Sequence, residues 1–113
     1  MTDSCLFCRI AAGTLPATIV AENALAMAFR DLHPQAPVHV LVIPRAHVDS
    51  LAAASDAALL GETMALAAEV ARREGVADSG YRVVTNVGRD GGQSVGHLHL
   101  HVLGGRPLGW PPG

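Results

Sequence analysis

Three of the six histidines sit at alternate positions within five residues, His97-Leu98-His99-Leu100-His101. Imidazole changes charge near neutral pH and serves as nucleophile, proton donor or acceptor, or metal ligand. Alternation with Leu98, Leu100 and Val102 reads as a half-buried strand, with His97, His99 and His101 on one face and the aliphatic residues on the core side. A rise of about 3.3 Å per residue spaces such side chains about 7 Å apart, too far to stack but suited to three jobs along one substrate. One histidine on a strand face is usually a solvated residue without a role; three in strict alternation argue against that reading. A three-histidine metal face is the competing chemical reading.

Just upstream, Gly88-Arg89-Asp90-Gly91-Gly92 forms a glycine-rich turn whose backbone N–H groups suit an anion, and Gln93 and Ser94 add side-chain donors. Imidazole attacks phosphorus to give a covalent nucleotidyl-histidine, and a neighbouring ring reaches a phosphate oxygen or the leaving group. One face thus has the parts for phosphoryl chemistry. His39, on the strand Val38–Ile43 with Leu41 and Ile43, reads by itself as a satisfied core histidine.

The elements that must carry these groups follow from periodicity. A helix is expected from Cys5 to about Ala12, capped by Ser4 and stopped at Gly13. Thr18–Ala21 and Ala24–Arg30 read as a hairpin around Glu22-Asn23. One long helix is expected from Ser55 or Asp56 to about Glu74, with a buried stripe of Leu59, Met64, Leu66, Ala67, Val70 and Ala71. Tyr81–Asn86 reads as a fourth strand and the histidine segment as a fifth. The expected fold is α+β: a five-stranded antiparallel sheet with one long and one short helix.

The chain has 113 residues and reads as one domain over 1–113. A domain this small buries only roughly two-thirds of its unfolded surface and gains from oligomerising. Only 4% of residues are aromatic, so the core must be aliphatic. The net charge of −2 and the absence of a basic run disfavour nucleic acid as a partner. No apolar run approaches a membrane span, and a cytoplasmic protein with no membrane partner is expected. In a reducing compartment Cys5-x-x-Cys8 reads as redox or metal chemistry, not as a structural disulfide.

The motif His97-Leu98-His99-Leu100-His101-Val102-Leu103 resembles that of the histidine triad (HIT) family, histidines alternating with apolar residues. With Asp90-Gly91-Gly92-Gln93-Ser94-Val95 before it and Gly104-Gly105-Arg106 and Trp110-Pro111-Pro112-Gly113 after it, the chain is similar to the Hint branch, the purine nucleoside phosphoramidases. The resemblance implies a HIT-like fold and a homodimer with a ten-stranded sheet. It also implies that the tail, 104–113, lies near the partner subunit's active site. It implies hydrolysis of the P–N bond of nucleoside 5′-phosphoramidates. His99 is then the nucleophile, His101 a phosphate contact, His97 a backbone orienter, His39 a fourth active-site histidine, and Ser94 the proton donor to the amine. Gln93, Gly92 and Asn86 match phosphate and sugar contacts, and Asp31 the ribose carboxylate. Phe7, Ile10, Phe29 and Leu32 match the purine pocket, and Trp110 a tail contact to the site. Purine nucleoside monophosphates and phosphoramidates are the implied ligands. No cofactor is implied for catalysis, but Cys5, Cys8, His47 and His97 match a structural zinc set of other family members. Two positions depart from the pattern: Gly96 replaces a common aromatic, and Gly109 a common histidine. Both bear on the leaving group. A nucleotide-binding scaffold with incidental activity and a dinucleoside polyphosphate hydrolase are the alternatives.

Overall fold

A computed structural model describes residues 4–113. Five strands form one antiparallel sheet in the order β1-β2-β3-β5-β4. They are β1 (Ile19–Glu22), β2 (Ala26–Arg30), β3 (Val38–Pro44), β4 (Tyr81–Val84) and β5 (Leu100–Gly104). Helix α1 spans Leu6–Ala11, α2 spans Ala57–Arg73, and α3 is a single turn at Gly88–Gly91. The expected α+β architecture is therefore present.

Local chemistry sets the boundaries. The cap of α1 is Cys5 rather than Ser4: its backbone is extended and its sulfur accepts the Cys8 N–H at 3.3 Å. Gly13 follows at φ 79°, where a side chain would be strained. The β1–β2 turn is wider than Glu22-Asn23, because Asn23 Oδ1 accepts the N–H groups of both Leu25 and Ala26 and delays β2 to Ala26. Asp56 caps α2 by accepting from Ala58 and Leu59, and Arg72 and Arg73 occupy its last turn.

Helix α2 covers one face of the sheet. Leu66, Ala67 and Val70 pack there on Ala28, Val40, Val42, Leu100 and Val102. Full burial of Leu66 and Val70 contributes roughly 2 kcal/mol each. Met64 is exposed and Thr63 buried, which corrects the expected stripe. Thr63 lies four residues after Leu59 and three before Leu66, in phase with the helix, and its hydroxyl donates to Leu59 O at 2.7 Å. The opposite face carries the second core, where α1 places Phe7 and Ile10 on Met27, Phe29, Leu41 and Ile43. Because side chains alternate along a strand, the residues of β3 and β5 that avoid α2 point to this second face, and His39 and His101 are among them. Register pairs Leu41 with His101 and His39 with Leu103, so the two histidines are diagonal neighbours.

Candidate active site

The histidine segment is strand only from Leu100 onward; His97 and His99 precede the ladder. Side-chain and backbone bonds hold this approach instead. Gln93 Nε2 donates to Asp49 O at 2.7 Å and Val95 O at 3.0 Å, while its Oε1 accepts the Gly88 N–H at 3.0 Å. Leu98 N–H donates to Val48 O at 2.7 Å, and the Thr85 hydroxyl to His99 O at 2.9 Å. Loop 45–49 and the glycine turn thus clamp the segment bearing His99. Both amide hydrogens of Gln93 are spent in this clamp, so its side chain braces the glycine turn rather than offering a free donor.

The rings also sit closer than the backbone rise suggests. His99 and His101 meet edge to face with centroids 5.0 Å apart, and His39 lies 5.2 Å from His101. A strand's rise fixes Cα spacing, but rings lean, and the segment is irregular before Leu100. His97 is wholly buried and His99 nearly so.

Hydrogen bonds assign the proton on each ring. His99 Nδ1 lies 2.7 Å from His97 O; a carbonyl only accepts, so Nδ1 carries the hydrogen and Nε2 keeps a lone pair. Gln35 N–H donates to His39 Nδ1 at 3.0 Å, which puts the His39 hydrogen on Nε2. That group meets His101 Nδ1 at 2.9 Å, with Asp31 Oδ2 farther off at 3.4 Å. His101 Nδ1 therefore accepts, and its Nε2–H remains as a donor. Burial lowers the pKa of His39, against the pull of Asp31. Burial, then repulsion from His99 and His39, pushes His101 down to about 4. Both rings are neutral at pH 7, as the bonding pattern requires.

A cavity of about 440 Å³ opens beside these rings. Phe7, Ile10, Phe29 and Leu41 form its apolar wall, while Asp31, Ser94, His99 and His101 bring polar groups to it. An apolar wall with a few convergent polar groups is the usual make-up of a small-molecule site. Leu32 also lines it, although 89% exposed. The structure thus brings together Phe7, Ile10, Phe29, Leu32, Asp31, Ser94, His99 and His101. Asn86, Gly92, Gln93 and Trp110 are not among its lining residues, and Trp110 is 82% exposed.

A second cluster gathers Cys5, Cys8, His47 and His97, with one ligand-type atom from each within 4.8 Å of the others. Cys5 Sγ lies 3.3 Å from His97 Nδ1, and Cys8 Sγ lies 3.2 Å from His47 Nδ1 and 3.5 Å from His97 Nδ1. Tetrahedral zinc bonded to sulfur and imidazole nitrogen sets such atoms about 3.6 Å apart, so the donors fit with little movement. The outer partners fit too. His47 Nε2 meets Asp49 Oδ1 at 2.7 Å and His97 Nε2 meets Pro44 O at 2.9 Å, which leaves both Nδ1 lone pairs toward the sulfurs. Burial and the neighbouring Cys5 sulfur raise the Cys8 thiol to about 11. Burial also opposes ionisation of Cys5, but hydrogen bonds, first from the Cys8 N–H, bring it below its ordinary value. The raised Cys8 value keeps that sulfur protonated by itself, and holding both sulfurs as thiolates side by side would take a cation between them.

Asp31, His39 and His101 also lie within ligand distance of one another. Their proton pattern opposes a cation there: His39 Nε2 already holds the hydrogen that Gln35 N–H forces onto it. His39 and His101 thus form a hydrogen-bond relay, while His97 faces the cysteine cluster. Three partners in these networks carry no signal in the sequence or a faint one. The Gln35 N–H and Pro44 carbonyl are main-chain groups common to any sequence, and Asp49 is a lone acid two residues after His47.

The sequence matches the HIT domain family over residues 12–108. It is 50% identical over 115 aligned positions to a protein of Synechocystis called an uncharacterized HIT-like protein, with both chains fully covered. Its fold is similar to a HIT family hydrolase from Legionella pneumophila, with TM-score 0.94, 48% identity, and 97% of this chain and 100% of that one covered. A histidine triad protein from Clostridium difficile gives TM-score 0.89 and 42% identity over 93% of each chain. On the extent of these matches and the architecture just described, the chain belongs to the HIT domain family.

Proposed function

We propose that the protein hydrolyses nucleoside 5′-phosphoramidates, with a preference for purines, through a nucleotidyl-histidine. The observation that carries this reading is the His99 ring: Nδ1–H is held by His97 O at 2.7 Å, and the ring lines the cavity with its Nε2 lone pair unspent. Nε2 attacks the α-phosphorus as the P–N bond breaks. The bond pair leaves on the amine nitrogen, which takes a proton that the Ser94 hydroxyl relays from solvent and that the water of the second step returns. The positive charge that the ring acquires is opposed by the His97 carbonyl dipole. His101 Nε2–H, held in that tautomer by His39, donates to a phosphate oxygen. Water then cleaves the phosphorus–His99 bond, giving the nucleoside monophosphate and the free imidazole. Asp31 takes the ribose hydroxyls, and Phe7, Ile10, Phe29 and Leu32 take the base. Asn86, Gly92 and Gln93 serve the phosphate and sugar end, Gln93 by bracing the glycine turn.

The Cys5, Cys8, His47 and His97 cluster holds structural zinc in this reading. When bound, the ion supplies the charge that keeps both cysteines as thiolates and ties α1 to the histidine segment. The chemical steps draw on imidazole and hydroxyl groups. The free thiols accord with a reducing, cytoplasmic setting. Among the described residues no helix is long and apolar enough to cross a membrane. The working unit is a homodimer with one domain per chain, in which tail 104–113 reaches the partner's site. The exposure of Trp110, away from its own cavity, supports this.

The test is AMP release from adenosine 5′-phosphoramidate by the native chain and by His99→Asn. Release by the native chain alone, with AMP still bound by the variant, is expected. Binding without release by either would replace the hydrolase with the scaffold reading. Faster turnover of a dinucleoside polyphosphate would favour that hydrolase instead.

A further inference from the structure

Beside the main cavity lies a second groove of about 450 Å³, lined in part by Cys5, Leu6, His47, Ser94, Val95 and Gly96. Leu6, Ser94 and Val95 line both spaces, while His99 lines only the first. Ser94 thus stands at the junction, with the nucleophile on one side and the groove on the other. Gly96 keeps the groove wall bare. Its backbone lies outside the left-handed region, and a Cβ built there meets no heavy atom within 4 Å. Neither strain nor crowding calls for glycine at this position; its effect is the missing side chain.

We propose that this groove is the subsite for the leaving amine, and that Gly96 sets the size of amine accepted. The inference rests on the phosphoramidase reading. In-line displacement puts the leaving group on the side of phosphorus away from the nucleophile. The groove adjoins the cavity at Ser94 and is not lined by His99, and its volume of about 450 Å³ suits a substituent of small-molecule size. Its wall also selects chemistry. Among the described residues no carboxylate, lysine or arginine lines it, and its titratable groups there, Cys5 and His47, are engaged in the cysteine–histidine cluster. An uncharged aryl-alkyl amine fits such a wall; an amine bearing a second charge does not.

The test compares kcat/KM for adenosine 5′-phosphoramidate and its N-(2-phenylethyl) derivative. The native chain is expected to turn over both, within about tenfold of each other. In Gly96→Phe the ratio of substituted to unsubstituted substrate is expected to fall at least about tenfold, while Gly96→Ala shifts it less than about threefold. Gly96→Leu serves as a second filler should the phenylalanine variant fold poorly, and AMP affinity reports an intact cavity. An unchanged ratio in a filled variant that still binds AMP overturns the subsite. So does a native chain that hydrolyses the unsubstituted compound alone. A native chain that hydrolyses neither overturns the phosphoramidase reading itself.

Discussion

Lowering the pH should destabilise this protein through His101, by an amount the site allows to be worked out. In the folded chain, burial and then repulsion from His99 and His39 outweigh attraction to Asp31 and set its pKa at about 4, against an ordinary 6.5. Between those values the unfolded chain binds the proton and the folded chain does not. Stability is therefore fully present above pH 6.5 and falls as the pH drops toward 4. Linkage gives a loss of about 2 kcal/mol between pH 7 and pH 5, reaching about 3 kcal/mol by pH 4. His39, also lowered by burial, contributes with the same sign. His47, raised by its bond to Asp49, contributes with the opposite sign. Comparison with His101→Gln isolates the His101 contribution, since a glutamine oxygen can still accept the His39 Nε2–H. Urea unfolding at pH 7, 6 and 5 is the assay. The native free energy should fall about 2 kcal/mol more than that of the variant between pH 7 and pH 5. Parallel pH dependences would refute the claim that the fold holds His101 neutral, and with it the assigned donor at Nε2.

Two further outcomes follow from the same geometry. Asp31→Asn should narrow the preference for ribonucleoside over 2′-deoxyribonucleoside phosphoramidates by about tenfold, because a neutral amide grips two hydroxyls less firmly; equal preferences in native and variant kcat/KM would remove Asp31 from the sugar site. Cys8→Ser should weaken zinc binding by at least about 100-fold in a chelator competition, with native chains releasing one zinc each; unaltered affinity would show that the metal binds elsewhere.

Much of the fold was legible because it rests on repeating patterns. The stripe of α2 and the β-branched run of β3 announce their elements, since burying one face is what orders them. The misreadings fell where local polar groups compete with periodicity. Asn23 captured two N–H groups and lengthened a turn, Cys5 displaced Ser4 as a cap, and Thr63 took a core position by bonding to Leu59 O. At the site, the residue types and spacing of His97, His99 and His101 pointed to phosphoryl chemistry, and the grouping of Cys5, Cys8, His47 and His97 was recognisable through resemblance. By itself the sequence determined which side chains could act and which elements would carry them. Only the tertiary structure decided what each imidazole can do. The proton sits where a partner holds it, near in sequence for Gln35 N–H on His39 and Asp49 on His47, distant for His39 on His101 and the Pro44 carbonyl on His97. A neutral imidazole is donor at one nitrogen and acceptor at the other, and the choice belongs to groups that only folding brings within 3 Å or so.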